Sequence, residues 1–274
     1  MTELQQKLLA MLCWFHDFCT KENLRYFAIA GTFLGAVRHG GFIPWDDDID
    51  VGLPRKDYER CREIFARTGN RIGKYALETP YSPAEDFLYS YDKLYDTTTT
   101  LVERQRTNCR RGIYLDIFPL DGAGDTMEDA KRYYKQIDAY KMLLAARVCA
   151  VRKERAWHKN LAILAARAIP SAVLSEKELC VKMDALCKER DYDESAFVGS
   201  LMSGYRDKAI MPKEIFGEPT MYQFEGKEIM GPEKPEAYLA HLYGDWRKLP
   251  PEEKRGVRHD FAELDLEHGW VEQE

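Results

Sequence analysis

The sequence predicts an α/β (α+β) protein, with a mixed β-sheet core and flanking helices followed by a helical second region. Three observations predict it. Residues 2–67 read as helix, strand, turn with a short helix, strand and helix. Residues 75–119 are rich in aromatic and β-branched side chains, which favour strands. From Thr126 to about residue 190 the apolar spacing turns helical.

Taken in order, residues 2–23 place Leu4, Leu8, Met11, Leu12, Phe15 and Phe18 on one helical face, and Thr2 with Gln5 fits a capping box. A strand follows at 26–30. The small-residue turn at Gly31-Thr32 feeds a short helix through Val37-Arg38-His39, which Gly40-Gly41 ends. Phe42-Ile43-Pro44-Trp45 leads into a strand carrying Asp46, Asp47, Asp48 and Asp50; Pro54 closes it. Tyr58, Cys61, Ile64 and Phe65 then stripe a helix at 56–67. Strands are expected at 87–91, 97–102 and 112–119, and helices at about 127–153, 155–169 and 175–190. Pro170 ends the second of these helices, while Ser175 with Glu178 caps the third. Residues 220–224 and 227–230 flank Glu225-Gly226 as a hairpin, before a helix at 233–243. The expected division is a core over 1–125, a helical region over 126–195, and a mixed segment over 196–274 that packs on the core.

Composition excludes several functions. A chain of 274 residues with 45% hydrophobic and 31% charged residues can fill a core, and a soluble globular protein is expected. A net charge of −6 offers no general attraction to nucleic acid. Seven cysteines without a C-x-x-C argue for reduced thiols in a cytoplasmic protein, against a disulfide framework or a zinc site. The N-terminus lacks a signal-like apolar core, and no apolar run approaches the roughly 18 residues of a spanning helix. Arg147, Arg152, Lys153, Arg155, Lys159 and Arg167 alternate with Leu161, Ile163, Leu164, Ile169, Val173 and Leu174. Packed helices with a wet face are the first expectation there. Peripheral contact with the inner face of a membrane, through anionic lipid, is the second.

Chemistry concentrates at Asp46-Asp47-Asp48-Ile49-Asp50. If Ile49, Val51 and Leu53 face the core, a period of two puts Asp48 and Asp50 together on the other face. Two such carboxylates about 4 Å apart repel by roughly 4 kcal/mol at an effective dielectric near 20, so they call for a cation or a proton. Oxygen ligands select a hard cation, Mg²⁺ or Mn²⁺. Asp-rich stretches also serve as plain turns and caps. Backbone N–H groups at Gly31 and Thr32 can meet phosphate oxygens beside such a metal. Asp116, between Leu115 and Ile117, lies either on a solvated sheet face or as a third ligand.

Four segments together resemble the LicD proteins, bacterial phosphocholine transferases related to the fukutin-related proteins. They are Ala30-Gly31-Thr32-Phe33-Leu34-Gly35-Ala36-Val37-Arg38; Phe42 through Asp50; Leu115-Asp116-Ile117-Phe118-Pro119-Leu120-Asp121; and Tyr243-Gly244-Asp245-Trp246 with Leu249-Pro250-Pro251. The resemblance implies a nucleotidyltransferase-like core with Gly31-Thr32 near the phosphates and Asp48, Asp50 and Asp116 as the catalytic, metal-holding triad. It implies transfer of phosphocholine, or a related phospho-alcohol, from CDP-choline or another CDP-alcohol. The acceptor would be a sugar hydroxyl of a glycan or lipid-linked glycan such as a teichoic acid or lipopolysaccharide precursor, and CMP would leave. Arg38 and Lys93 are candidates for uncovered phosphate oxygens, or else surface charges. Asp116 is the candidate for helping deprotonate the acceptor, or only a ligand. Trp45 either stacks on a ligand or joins the core, and the tyrosines at 89–95 either line a choline pocket or pack. His39 and His259 read as hydrogen-bonded structural histidines. Two alternatives stay open: a nucleotidyltransferase that releases pyrophosphate from an NTP, and a non-catalytic binding protein.

Overall fold

In a computed structural model, residues 1–104, 109–148, 151, 156–170, 173–256, 259 and 261–270 are described. Helix α1 (Glu3–Glu22) begins at the expected box, with Thr2 and Gln5 satisfying each other's backbone N–H groups, and ends at Asn23 in the left-handed region. Its buried face carries Leu8, Met11, Leu12, Phe15 and Phe18. After it come β1 (Phe27–Ala28), α2 (Ala30–His39), β2 (Asp50–Pro54) and α3 (Arg55–Ala66). Phe18 meets Phe65 of α3 with ring centroids 5.4 Å apart, while Phe15 packs edge-on against Tyr26. Burial of the α1 stripe, rather than helix propensity, holds these elements in place.

The next strands are β3 (Arg71–Ile72), β4 (Tyr75–Glu78), β5 (Asp92–Asp96), β6 (Thr100–Glu103), β7 (Arg110–Arg111) and the 11-residue β8 (Tyr114–Gly124). Helices α4 (Met127–Val148), α5 (Trp157–Ala168) and α6 (Glu176–Cys187) follow, and Ser175 with Glu178 forms the expected capping box of α6. The chain closes with β9 (Phe197–Gly199), β10 (Ile210–Pro212), α7 (Lys213–Phe216), β11 (Thr220–Phe224), β12 (Lys227–Gly231), α8 (Pro235–Tyr243) and β13 (Phe261–Asp265). The eight-stranded sheet runs β1-β2-β8-β5-β4-β3, with β9 on the far half of β8 and β10 on β9. Among the described residues only β2 and β8 pair in parallel; the sheet is mixed, as expected. β11 and β12 form the expected hairpin, and β13-β6-β7 forms a small separate sheet.

Three expected strands shift. Residues 87–91 are irregular, and the strand begins at Asp92. Their aromatic alternation builds a ladder instead: Phe87 meets Tyr89 at 5.4 Å, Tyr89 meets Tyr91 at 5.7 Å, and Tyr91 lies 4.1 Å from Phe118. Residues 97–99 turn, because Thr98 and Thr99 bond back to Asp96, so β6 starts only at Thr100. Asp46, Asp47 and Asp48 precede β2 rather than lying on it. There Asp46 N–H turns back to the carbonyl of Ile43, and the Gln5 amide donates to the carbonyl of Asp46. Side chains and turns satisfy this stretch where a ladder was expected. Arg152, Lys153 and Arg155, with the expected helix around them, lie outside the described residues.

A buried ion network ties α6 to the sheet. Arg55 of α3 forms two bonds to Asp121 of β8, at 2.6 and 2.8 Å, and a third to Asp184 of α6 at 2.8 Å. Arg62 grips Asp92 of β5 and also reaches Asp184 at 3.1 Å. Burial pushes Asp121 and Asp92 upward against their arginines. At Asp184, burial pulls the same way but Arg55 and Arg62 outweigh it, holding the carboxyl far below its usual range. Among the described residues no helix is long and apolar enough to cross a membrane, and six cysteines carry free thiols.

Candidate active site

The register of the sheet sets three charged residues abreast. Asp50 of β2 stands opposite Asp116 of β8, and Asp116 stands opposite Lys93 of β5. Residues directly opposite on neighbouring strands share a face, so the row crosses three strands at roughly 5 Å per step. Val51, Leu53, Leu115 and Ile117, of the other parity, are fully buried.

The backbone of Asp50 is pinned on both sides. Its N–H donates to the Thr32 hydroxyl at 2.9 Å, and its carbonyl accepts from Ile29 N–H at 3.1 Å. Gly31 and Thr32 therefore form the first turn of α2 rather than a free turn. Ala30, just before them, holds a left-handed φ of 50° and donates its N–H to the Tyr238 hydroxyl at 3.1 Å. A side chain at Gly31 would put a Cβ 2.7 Å from Asp46 Oδ2. Glycine is required there so that the Asp46 carboxylate can lie against the N-terminal turn of α2, where the helix dipole favours an anion.

Burial raises the pKa of Asp50 well above the usual range, and the charges of Asp48, Asp116 and Asp46 add to it. Asp116 is pushed up to about 6 by burial, against the pull of Lys93. The Lys93 ammonium sits 2.7 Å from Asp116 Oδ1 and 3.3 Å from the centre of the Tyr114 ring, with Tyr89 at 4.3 Å. Tyr91 reaches Asp116 Oδ2 at 3.4 Å. Lys93 is 2% exposed. The tyrosines at 89 and 91 thus wall a lysine of the chain itself.

His259, expected as a hydrogen-bonded structural histidine, finds its partner in the aspartate run. His259 Nδ1 lies 2.9 Å from Asp47 Oδ1, and its Nε2 lies 3.9 Å from Asp48 Oδ2. The Asp47 hydrogen bond raises the His259 pKa, burial opposes it, and Asp48 adds to it. No spacing links residue 259 to residue 47, so only the folded chain reveals the pair. Arg38 is placed elsewhere. In the last turn of α2, about 10 Å along the axis from Gly31, it donates to the carbonyl of Trp246 at 2.8 Å and faces His39. Trp45 packs against the core beneath Arg255.

Among the described residues, Asp46, Asp47 and Asp48 are the group whose carboxylate oxygens come within 4.8 Å of one another. Asp50 and Asp116 lie behind them in the row. The donor set is entirely oxygen, and several carboxylates face one ammonium. Both facts fit a hard divalent cation.

The mixed sheet, with α2 entering beside a parallel pair of aspartate-bearing strands, is a nucleotidyltransferase-like α/β fold. Residues 23–144 match the LicD/FKTN/FKRP nucleotidyltransferase domain. Over this segment, a little under half of its length, the chain is similar to the LicD/FKTN/FKRP family. It is 29% identical over 266 residues to the lipopolysaccharide cholinephosphotransferase LicD of Haemophilus influenzae, covering 94% of this chain and 95% of that protein. It is 44% identical over 42 residues to the human ribitol 5-phosphate transferase FKRP, covering 15% of this chain and 8% of that protein. An uncharacterized Rickettsia typhi protein is 45% identical over 60 residues, covering 21% of this chain and 19% of that protein.

Proposed function

We propose that this protein transfers phosphocholine, or a closely related phospho-alcohol, from a CDP-activated donor to a sugar hydroxyl of a lipopolysaccharide or teichoic acid precursor, releasing CMP. The observation that carries this reading is the near full-length similarity to the Haemophilus cholinephosphotransferase in a chain that presents Asp50 and Asp116 side by side. Asp48, Asp50 and Asp116 would hold Mg²⁺ or Mn²⁺, with Asp46 and Asp47 at the edge of the site. Such an ion supplies charge neutralisation of the diphosphate and of the leaving nucleotide.

The chain's own groups do the rest. Lys93 balances Asp116 and fixes its orientation, and the surrounding tyrosines keep water away from that pair. The first turn of α2 presents backbone N–H groups toward the phosphates, and Arg38, held by the Trp246 carbonyl at the far end of the helix, would meet only a distal part of the bound donor. His259, with Asp47 holding Nδ1, is better placed than Asp116 to take the acceptor's proton, because both oxygens of Asp116 already face donors.

Incubation with Mg²⁺, CDP-choline and a glycan acceptor is expected to release CMP in step with phosphocholine transfer. CDP-ribitol, CDP-glycerol and CTP in parallel define the alcohol; pyrophosphate from CTP without any CMP would overturn the reading in favour of a nucleotidyltransferase. In the same assay His259→Gln is expected to lower kcat about 10²-fold with little change in the donor KM. An unchanged kcat would remove His259 from the chemistry.

A further inference from the structure

The second region leaves one helix face uncovered. On α5, Trp157, Leu161 and Leu164 follow one another at helical spacing on one side and are 76%, 57% and 53% exposed. Ile163 and Ala166, on the opposite side, are buried. Val173 just beyond the helix is 71% exposed, and Val151 before it is also exposed. Scattered apolar residues are normal on a surface; three aligned along one helix, with a fourth just beyond its end, are not.

The charge around this face is segregated as well. Residues 139–175 hold seven lysines and arginines and a single glutamate, in a chain whose net charge is −6. The helix itself carries no acidic residue, and Lys159 is exposed in its first turn, on the side away from the apolar stripe. The remaining sequence is correspondingly acidic. An anionic plane would attract this segment and repel the rest, which fixes orientation as well as attachment.

We infer that α5 is an interfacial anchor that lays Trp157, Leu161, Leu164 and Val173 into the surface of an anionic phospholipid bilayer. A tryptophan at the start of an amphipathic helix flanked by basic residues suits the boundary between headgroups and acyl chains. A second copy of this chain is the poorer occupant, because a two-fold contact would set two positively charged segments against each other. The inference goes beyond the transfer reaction and stands on exposure and charge alone.

The test is vesicle cosedimentation of the full chain. Binding is expected to vesicles of phosphatidylcholine mixed with phosphatidylglycerol, to weaken as salt is raised, and to be slight with phosphatidylcholine alone. The combined variant Trp157→Ser, Leu161→Ser, Leu164→Ser should partition at least about tenfold less. These side chains are exposed, so its thermal midpoint and its CMP release with a water-soluble acceptor should match the wild type. Lys159→Glu should weaken binding and flatten the salt dependence. The proposal is overturned if the wild type ignores anionic vesicles, or if the triple variant binds them equally. It is overturned too if light scattering finds a wild-type dimer that the triple variant loses while vesicle binding is unaffected. Failure of CDP-choline transfer would leave this result untouched, so the two readings fail separately.

Discussion

Asp50→Asn is expected to lower the transfer rate by at least about 10³-fold while making the metal-free protein more stable. The two effects have one origin. Asp50 is half-buried beside Asp48, Asp116 and Asp46, and their charges raise its pKa on top of the cost of desolvation. Neutralising it relieves repulsion, a gain of about 1–2 kcal/mol. The same change removes a ligand from the proposed cation site. Divalent metal should therefore raise the thermal midpoint of the wild type, by about 2.7 kcal/mol of stability at a hundredfold excess over Kd, and should raise that of the variant far less. Thermal scans with and without Mg²⁺, beside the CMP assay, read both effects. A variant with wild-type rate and wild-type metal response would remove Asp50 from the site.

Asp184→Asn is expected to cost about 3–5 kcal/mol of stability at neutral pH. Its carboxylate is wholly buried and receives Arg55 at 2.8 Å, Arg62 at 3.1 Å, Lys188 at 3.0 Å and the Tyr81 hydroxyl at 2.8 Å. An amide leaves the two arginines of α3 short of charge in a dry setting, and the anchor between α6 and the sheet weakens. The pH dependence follows from the sign of the shift. Asp184 is depressed in the folded state, so its contribution is fully present above the unfolded carboxylate value near 3.9 and is lost as pH falls below it. Urea unfolding of both proteins from pH 7 to pH 3 should show their stabilities converging at the acid end. A constant gap would mean that Asp184 acts through packing rather than charge.

Much of the fold was legible in local sequence. The capping boxes at Thr2 and Ser175, the α1 stripe, Pro54 ahead of α3, and the hairpin around Glu225-Gly226 all rest on side chains that bond or pack within a few residues of themselves. Two of the three displaced strands failed for a common reason. Phe87, Tyr89 and Tyr91 alternate because each ring packs at an angle against the next and the two tyrosines flank Lys93, a tertiary arrangement that mimics a strand's period. Asp46, Asp47 and Asp48 carry the parity of β2 without lying on it, because Gln5 and His259, both distant in sequence, satisfy the stretch. Charge pairing between distant residues leaves no periodic trace, so the sequence offered Lys93 as a phosphate contact or a surface charge, and His259 as a structural histidine without naming its partner.

By itself the sequence singled out the residues proposed to carry the chemistry: an aspartate run before a strand, a lone aspartate inside an apolar strand, and a Gly-Thr step at a helix start. Those signals survive because each breaks a local rule of burial or turn formation. Only the tertiary structure decided their arrangement. The parallel pairing of β2 with β8 puts Asp50 beside Asp116, the pairing of β8 with β5 brings Lys93 against Asp116, and the C-terminal segment returns His259 to Asp47. Strand register and chain return are set by burying the opposite face of the sheet, a sum over the whole core that no local window contains.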